Sequence, residues 1–389
     1  MRKNWLILSA YATLFMLGIY ISFYQYTIYL IATRFALDGA MMGLTIGVQS
    51  MGMAIAPLPL GALSAEIGKK RVILIAYSLL VFGVLWVGFA DSYIQYLAAS
   101  FFIGAGFAVL EATLSAVLAD EFPDNGARHL NFSQVAFSVG ALCGPLLTFV
   151  LLQQDVPVQQ LYHGCAAVFL LLGGAYLFIQ ETRVAAIAHK ERLRMSVHVT
   201  SFFKNKILLL LAASIFCYVG IENTTANFAD SYFRLAVAHP NWSAAALSLF
   251  WAAMIPSRLL AGIFKKSTGV MFLGCAGLAF LSTILAMLVP NPAVKLAMFA
   301  LCGFGCGPLW PLLMHQATRV SQGSSGAILN IMFSFCATGG AVLPVFAGIL
   351  ANGGQIAGVY YVCAGVMILT VLFWYKACRA EKMHTAGLP

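Results

Sequence analysis

Two carboxylates stand deep inside apolar runs of this sequence: Glu111, in GAGFAVLEATLSAVL, and Glu222, in YVGIENTTANFADSY. An ionisable group with about ten apolar neighbours on each side is costly to place in lipid, so it faces a cavity or a partner and marks a functional site by default. Such a group can take up a proton on one side of a barrier and release it on the other. Neutral amides and polar-tipped rings accompany the two acids at helical spacing. Asn223, Asn227 and Asp230 form a stripe at i, i+4 and i+7. Gln134 shares a face with Ser138 and, one turn back, with Leu130 or Asn131; Tyr20 and Tyr24 share one face, Gln25 and Tyr29 another. These groups suit a hydroxylated solute, with a ring stacking on its C–H face while the polar tips bond. Plainer readings stand beside these. Glu111 fits a structural acid bonded to a hydroxyl or Arg, Gln134 fits interhelical glue at about 0.6 kcal/mol per bond, and the tyrosines fit packing without a ligand.

The elements that hold these groups follow from composition. Of 389 residues, 61% are hydrophobic and 9% charged, with a mean hydropathy of +0.89. A soluble domain averages roughly 25% charged residues, so water-soluble classes are excluded. Membrane crossings are helices or closed barrels, and apolar runs of about 20 residues decide for helices. Twelve are expected, near 6–33, 42–64, 71–90, 95–119, 131–152, 161–180, 207–233, 242–264, 270–289, 293–316, 325–350 and 356–377, numbered here as spans 1 to 12. The first is too long for a cleaved signal and reads as an uncleaved span.

An even number of crossings puts both termini on one side, and the cations say which. Eighteen Lys and Arg fall on the terminal side, among them Arg2, Lys3, Lys69, Lys70, Arg71 and the six in 181–206. Arg34, Arg234 and Lys295 fall on the other, and Arg258 lies within a span. Both termini are therefore expected in the cytoplasm and the protein in the plasma (inner) membrane. The net charge of +9 then reports orientation and not nucleic-acid binding. The nine Cys, such as Cys143, Cys217 and Cys302, sit mostly inside apolar runs without CxxC spacing, so they read as small buried hydrophobes.

The basic, amphipathic stretch 181–206 reads as a cytoplasmic linker lying on the membrane surface. It separates two six-helix halves, 1–180 and 207–378, with a tail at 379–389. The halves repeat. Met53, Gly61 and Gly68 recur as Met254, Gly262 and Gly269, and Gly104-x-Gly106 as Gly305-x-Gly307, at an offset of 201; Gly140 and Pro145 recur as Gly340 and Pro344. Such parallel repeats are typical of carriers that rock about a midplane site.

Several segments carry a family resemblance. The loop GALSAEIGKKR, Gly61 to Arg71, resembles the signature between helices 2 and 3 of the major facilitator superfamily, with Ala65 and Glu66 where that signature has Asp and Arg. The run Gly104 to Pro145, helix 7 around Asn223 and the Leu249–Arg258 segment containing Trp251 are similar to the fucose:galactose:proton symporters, the L-fucose permease-like branch. The resemblance implies an all-α integral membrane protein of twelve helices in two pseudo-symmetric halves. It implies proton-coupled import of a small polar solute, a sugar or polyol, with Glu111, and with Glu222 as its rival, carrying the proton. Substrate contacts are expected from Tyr20, Tyr24, Gln25, Glu111, Asn131, Gln134, Asn223, Asn227, Trp251 and Trp310. Gating is expected from Gly61, Glu66, Gly68, Lys69, Lys70, Arg71 and Arg258. Span 1 departs from the permease pattern in having no carboxylate. Partners are the solute and membrane lipid, the chain is expected to be monomeric, and no cofactor is implied beyond a proton gradient or a sodium gradient in its place. Efflux of a metabolite, siderophore or drug is the alternative, and a non-transporting sensor on a carrier fold a further one. The spans show no nucleophile–base set, metal-ligand pair or phosphate loop, so neither an enzyme nor an ATP-driven pump is expected.

Overall fold

A computed structural model describes residues 2–122, 126–179, 201–263, 268–320, 325–351 and 355–385. Among the described residues, twelve helices are long and apolar enough to cross a membrane. Spans 1 to 6 are Asn4–Arg34, Gly39–Gly61, Lys69–Phe89, Tyr93–Leu118, Phe132–Gln153 and Val158–Leu177. Spans 7 to 12 are Lys206–Leu235, Pro240–Leu260, Gly269–Leu288, Pro292–Val320, Ile331–Ala351 and Ile356–Met383. Most of the 181–206 linker lies outside the described residues. The final helix continues to Thr385, so the expected tail at 379–389 begins as helix.

Polar side chains cap several span ends. Asp38 accepts from the Met41 amide at 2.8 Å, and Asn205 and Asn291 accept from the first turns of spans 7 and 10. Each satisfies an amide that has no partner within its helix. Gly68 takes φ 91° between two helices, a conformation that a side chain resists. Span 10 breaks at Gly307 and Pro308, the kink expected from Pro308 and Pro311. Pro311 has no N–H for the carbonyl of Gly307 one turn back, so that oxygen is left free for another donor.

The repeat is real, and packing corrects its register. A methyl group added at Gly106 would meet the backbone of Ala76 and Leu80; one at Gly305 would meet Cys275 and Ala279. Gly104 similarly lies against Gln49, and Gly303 against Phe250; Gly140 lies against Phe15, and Gly339 against Phe216. Gly104-x-Gly106 therefore corresponds to Gly303-x-Gly305, not to Gly305-x-Gly307, and Gly140 to Gly339. Spans 1 and 2 map onto 7 and 8 with an offset of 201, and spans 3 to 5 onto 9 to 11 with 199. The run Gly303, Gly305, Gly307 offers two registers to a string match, and only close helix approach selects one.

The two halves meet along spans 2 and 11, 5 and 8, 1 and 7, and 1 and 8. Close packing between spans 2 and 11 starts at the face away from the termini. Gly348 lies against Gly39, Gly43 against Pro344 and Val345, and Gly47 against Ala341 and Val345. Hydrogen bonds that join the halves include Ser50 to Gly340, Trp251 to Gln25 and Arg234 to Tyr26. Each of these lies between mid-span and that opposite face.

Candidate functional site

The polar groups of the spans collect where the halves face each other. At about 1.5 Å per residue, Trp251 lies about 12 Å below the Ser243 end of its helix and Glu111 about 27 Å below the Tyr93 end. The first is near mid-span and the second towards the terminal face.

Trp251 and Gln25 form the upper boundary. The indole N–H donates to the Gln25 carboxamide oxygen at 3.0 Å, and both side chains are buried. The Gln25 Nε2 has no partner among the described residues. On span 7, Asn227 donates to the carbonyl of Asn223 at 2.8 Å, and Asn223 to that of Val219 at 3.2 Å. The two amides are thus partly engaged by their own helix, a use that the i, i+4 stripe did not reveal. Asn227 Oδ1 is buried with no partner among the described residues. Gln25 and Asn227 so retain one donor and one acceptor that a solute hydroxyl could satisfy.

Charge enters one to two turns deeper. Arg258 Nε donates to the Gly307 carbonyl at 3.2 Å, the oxygen that Pro311 leaves free. Arg258 Nη2 then lies 3.7 Å from Glu222 Oε1. This ion pair is longer than a charge-assisted hydrogen bond, and the Arg258 side chain keeps 30% of its exposure. Arg258 was expected at a gate; the structure puts it beside Glu222. Glu111, half-buried on the other half of the molecule, has no ion-pair partner among the described residues; Gln134 and Arg258 are the polar groups that act on it. The guanidinium of Arg258 is thus the ion-pair partner of Glu222 and not of Glu111.

Other expected contacts fall elsewhere. Tyr20 and Tyr24 point into the first half, not towards the second. Tyr20 packs edge-on against Phe169 at 5.9 Å, Phe23 packs against Tyr162, and Tyr24 lies beside Tyr96 and Tyr162. Both are fully buried, and neither hydroxyl has a partner among the described residues. A face shared by two residues does not say which neighbour that face meets, so these rings form core instead of solute contacts. Trp310 is half-buried against Phe333 at 5.6 Å within the second half. The Asn131 side chain lies outside the described residues. The 61–71 segment, expected as a loop, is helical on both sides of Gly68; Gly61 faces open space and Lys70 donates to the Leu177 carbonyl at 2.7 Å, closing the end of span 6 in its own half. Glu66 and Arg71 are exposed, and Lys69 is half-buried.

A cleft of about 390 Å³ opens at the opposite face, lined by Tyr29, Asp38, Phe228, Ser231, Ala351 and Ile356. Neither Glu111 nor Glu222 lines it, so it is not the site described above. In the sequence Arg234 counts only among the cations of the side opposite the termini, and Tyr26 carries no assignment. Their signal was the Asp230–Arg234 spacing of four, the spacing of a helical ion pair.

Residues 8–340 match the Major Facilitator Superfamily. The chain is similar to the cis,cis-muconate transport protein of Acinetobacter baylyi, 23% identical over 94% of this chain and 93% of that one. It is also similar to the nitrite extrusion protein of Bacillus subtilis, 24% identical over 84% and 83%. Among solved structures, a mutant of the nucleoside transporter NupG aligns with a TM-score of 0.78 at 14% identity, covering 97% of this chain and all of that one. A D-xylose-proton symporter aligns with a TM-score of 0.76 at 15% identity, covering 97% and 98%. At such identities the structural likenesses establish the fold.

Proposed function

The chain belongs to the Major Facilitator Superfamily, and on that footing we propose that it imports a small polar solute of the sugar or polyol kind together with a proton, by alternating access of its two halves. The carrying observation is the charge arrangement at the centre. Arg258 pairs with Glu222 on its own half at 3.7 Å, whereas Glu111 on the other half has no ion-pair partner among the described residues. Glu111 can therefore gain a proton without breaking an ion pair, and Glu222 cannot. The open valences at Gln25 and Asn227 support recognition of hydroxyl groups. A potential near 150 mV supplies roughly 3.5 kcal/mol per charge, enough for accumulation of a neutral solute by about several hundred-fold.

The test is transport into proteoliposomes of a sugar or polyol first identified by thermal-shift screening, since a ligand at 100 times its Kd stabilises by about 2.7 kcal/mol. Glu111→Gln should abolish pH-driven accumulation and spare solute exchange, and Glu222→Gln should do less. If Glu111→Gln still accumulates solute and Glu222→Gln does not, coupling belongs to span 7. Replacing the pH gradient with a sodium gradient separates the two driving ions.

The long Arg258–Glu222 contact favours a second reading, in which the solute is an anion bound at Arg258. Cis,cis-muconate and nitrite, in the names of the two relatives, are both anions, and the second of those proteins is named for extrusion. Under this reading Arg258→Gln abolishes binding of small carboxylates in the same screen, and transport runs in either direction.

A further inference from the structure

We propose that Arg234, set by Asp230, is the latch that closes the two halves at the face opposite the termini. Asp230 and Arg234 lie four residues apart on span 7, and Arg234 Nε sits 2.9 and 2.8 Å from the two Asp230 oxygens. The Asp230 side chain is fully buried and that of Arg234 is 20% exposed. A buried carboxylate that loses its cation is strongly destabilised, so the guanidinium stays fixed on its own helix. Its remaining donors face the other half. Arg234 Nη2 donates to the Tyr26 hydroxyl at 3.3 Å, and the guanidinium lies 5.7 Å from the Tyr26 ring centre and 5.4 Å from that of Tyr29. Such cation–π contacts strengthen when water is excluded.

This division of labour makes the latch releasable. The ion pair belongs wholly to the second half and moves with it. At Arg234, separating the halves breaks one hydrogen bond to a neutral hydroxyl and two ring contacts, and parts no buried charges. A salt bridge running between the halves would instead strand a charge on each side at every opening. Arg234 also stands above the Gln25–Trp251 bond, on the side away from Glu111. Its release would therefore expose the site to the opposite face. The inference rests on the reading that the halves rock, and on neither the solute nor the driving ion.

The experiment needs no substrate. Val345 of span 11 meets Gly47 of span 2 across the closed interface, so Val345→Cys reports opening. A membrane-impermeant maleimide is applied from the opposite face to the full chain in membranes, with the parent chain correcting for native cysteines. Arg234→Gln should raise the labelling rate at position 345 tenfold or more. Tyr26→Leu combined with Tyr29→Leu leaves the Asp230–Arg234 pair intact and should do the same; it carries the test if Arg234→Gln does not fold. Measurable labelling in the Val345→Cys chain that the tyrosine substitutions leave unchanged overturns the latch while the rocking reading stands. A position 345 that reacts only after unfolding, in every variant, overturns both.

Discussion

Ser50 donates its hydroxyl to the main-chain carbonyl of Gly340, 3.0 Å away in the other half of the molecule. The acceptor is not an ordinary helical carbonyl. Four residues on stands Pro344, inside the same helix and without an N–H, so the Gly340 oxygen has no partner within its own helix. Arg258 and Gly307 repeat the device with Pro311. Proline in these spans thus supplies free acceptors at positions where one helix must recognise another. In the first case the recognition joins the halves; in the second it holds the Arg258 guanidinium in place.

Ser50→Ala should leave the buried Gly340 carbonyl unpaired and destabilise the protein by about 1–3 kcal/mol. Pro344→Ala restores an intrahelical donor. In that background Ser50→Ala should cost clearly less, and a double-mutant cycle on thermal unfolding measures the difference. Equal costs in both backgrounds would show that the proline is irrelevant to the bond.

Trp251→Phe keeps an aromatic ring but removes the pyrrole part with its N–H, leaving the buried Gln25 carboxamide with neither end bonded. The expected loss is about 1–3 kcal/mol. Adding Gln25→Met, which removes the stranded polar group, should recover part of it. No recovery would mean that packing, and not the hydrogen bond, accounts for the loss.

Gly106→Ala and Gly305→Ala place a methyl group against main-chain atoms of spans 3 and 9, respectively. Backbone yields little, so each should cost about 1–3 kcal/mol, and similar losses would support their structural equivalence. Gly164→Ala, with nothing within 4 Å of the added carbon, should be neutral or gain about 0.5–1 kcal/mol from helix propensity. Thermal midpoints in detergent would order the three.

Both termini are expected in the cytoplasm from the 18-to-3 distribution of Lys and Arg between the two sides. Gly354→Cys should react with an impermeant maleimide applied outside intact cells, and Ser196→Cys only after permeabilisation. The reverse pattern would invert the topology.

The number of spans, the two-half architecture and the proline kink in span 10 were legible in the sequence, because each follows from local properties: apolar run length, duplication and a missing N–H. Glu111 and Glu222 were legible for the same reason, since a charge within an apolar run stands out whatever surrounds it. What the sequence left open was which way each helical face turns. Tyr20–Tyr24 and Gln25–Tyr29 looked equivalent as stripes, yet the first pair lies inside one half while Gln25 reaches Trp251 across the interface. The register of the Gly303–Gly307 run, the choice of Glu222 over Glu111 by Arg258, and the aim of Arg234 at Tyr26 were likewise decided by packing. Composition fixes how many helices cross a membrane and which groups are costly there. Only the contacts between helices, made by residues as distant in the chain as Gly39 and Gly348, determine where each costly group finds its partner.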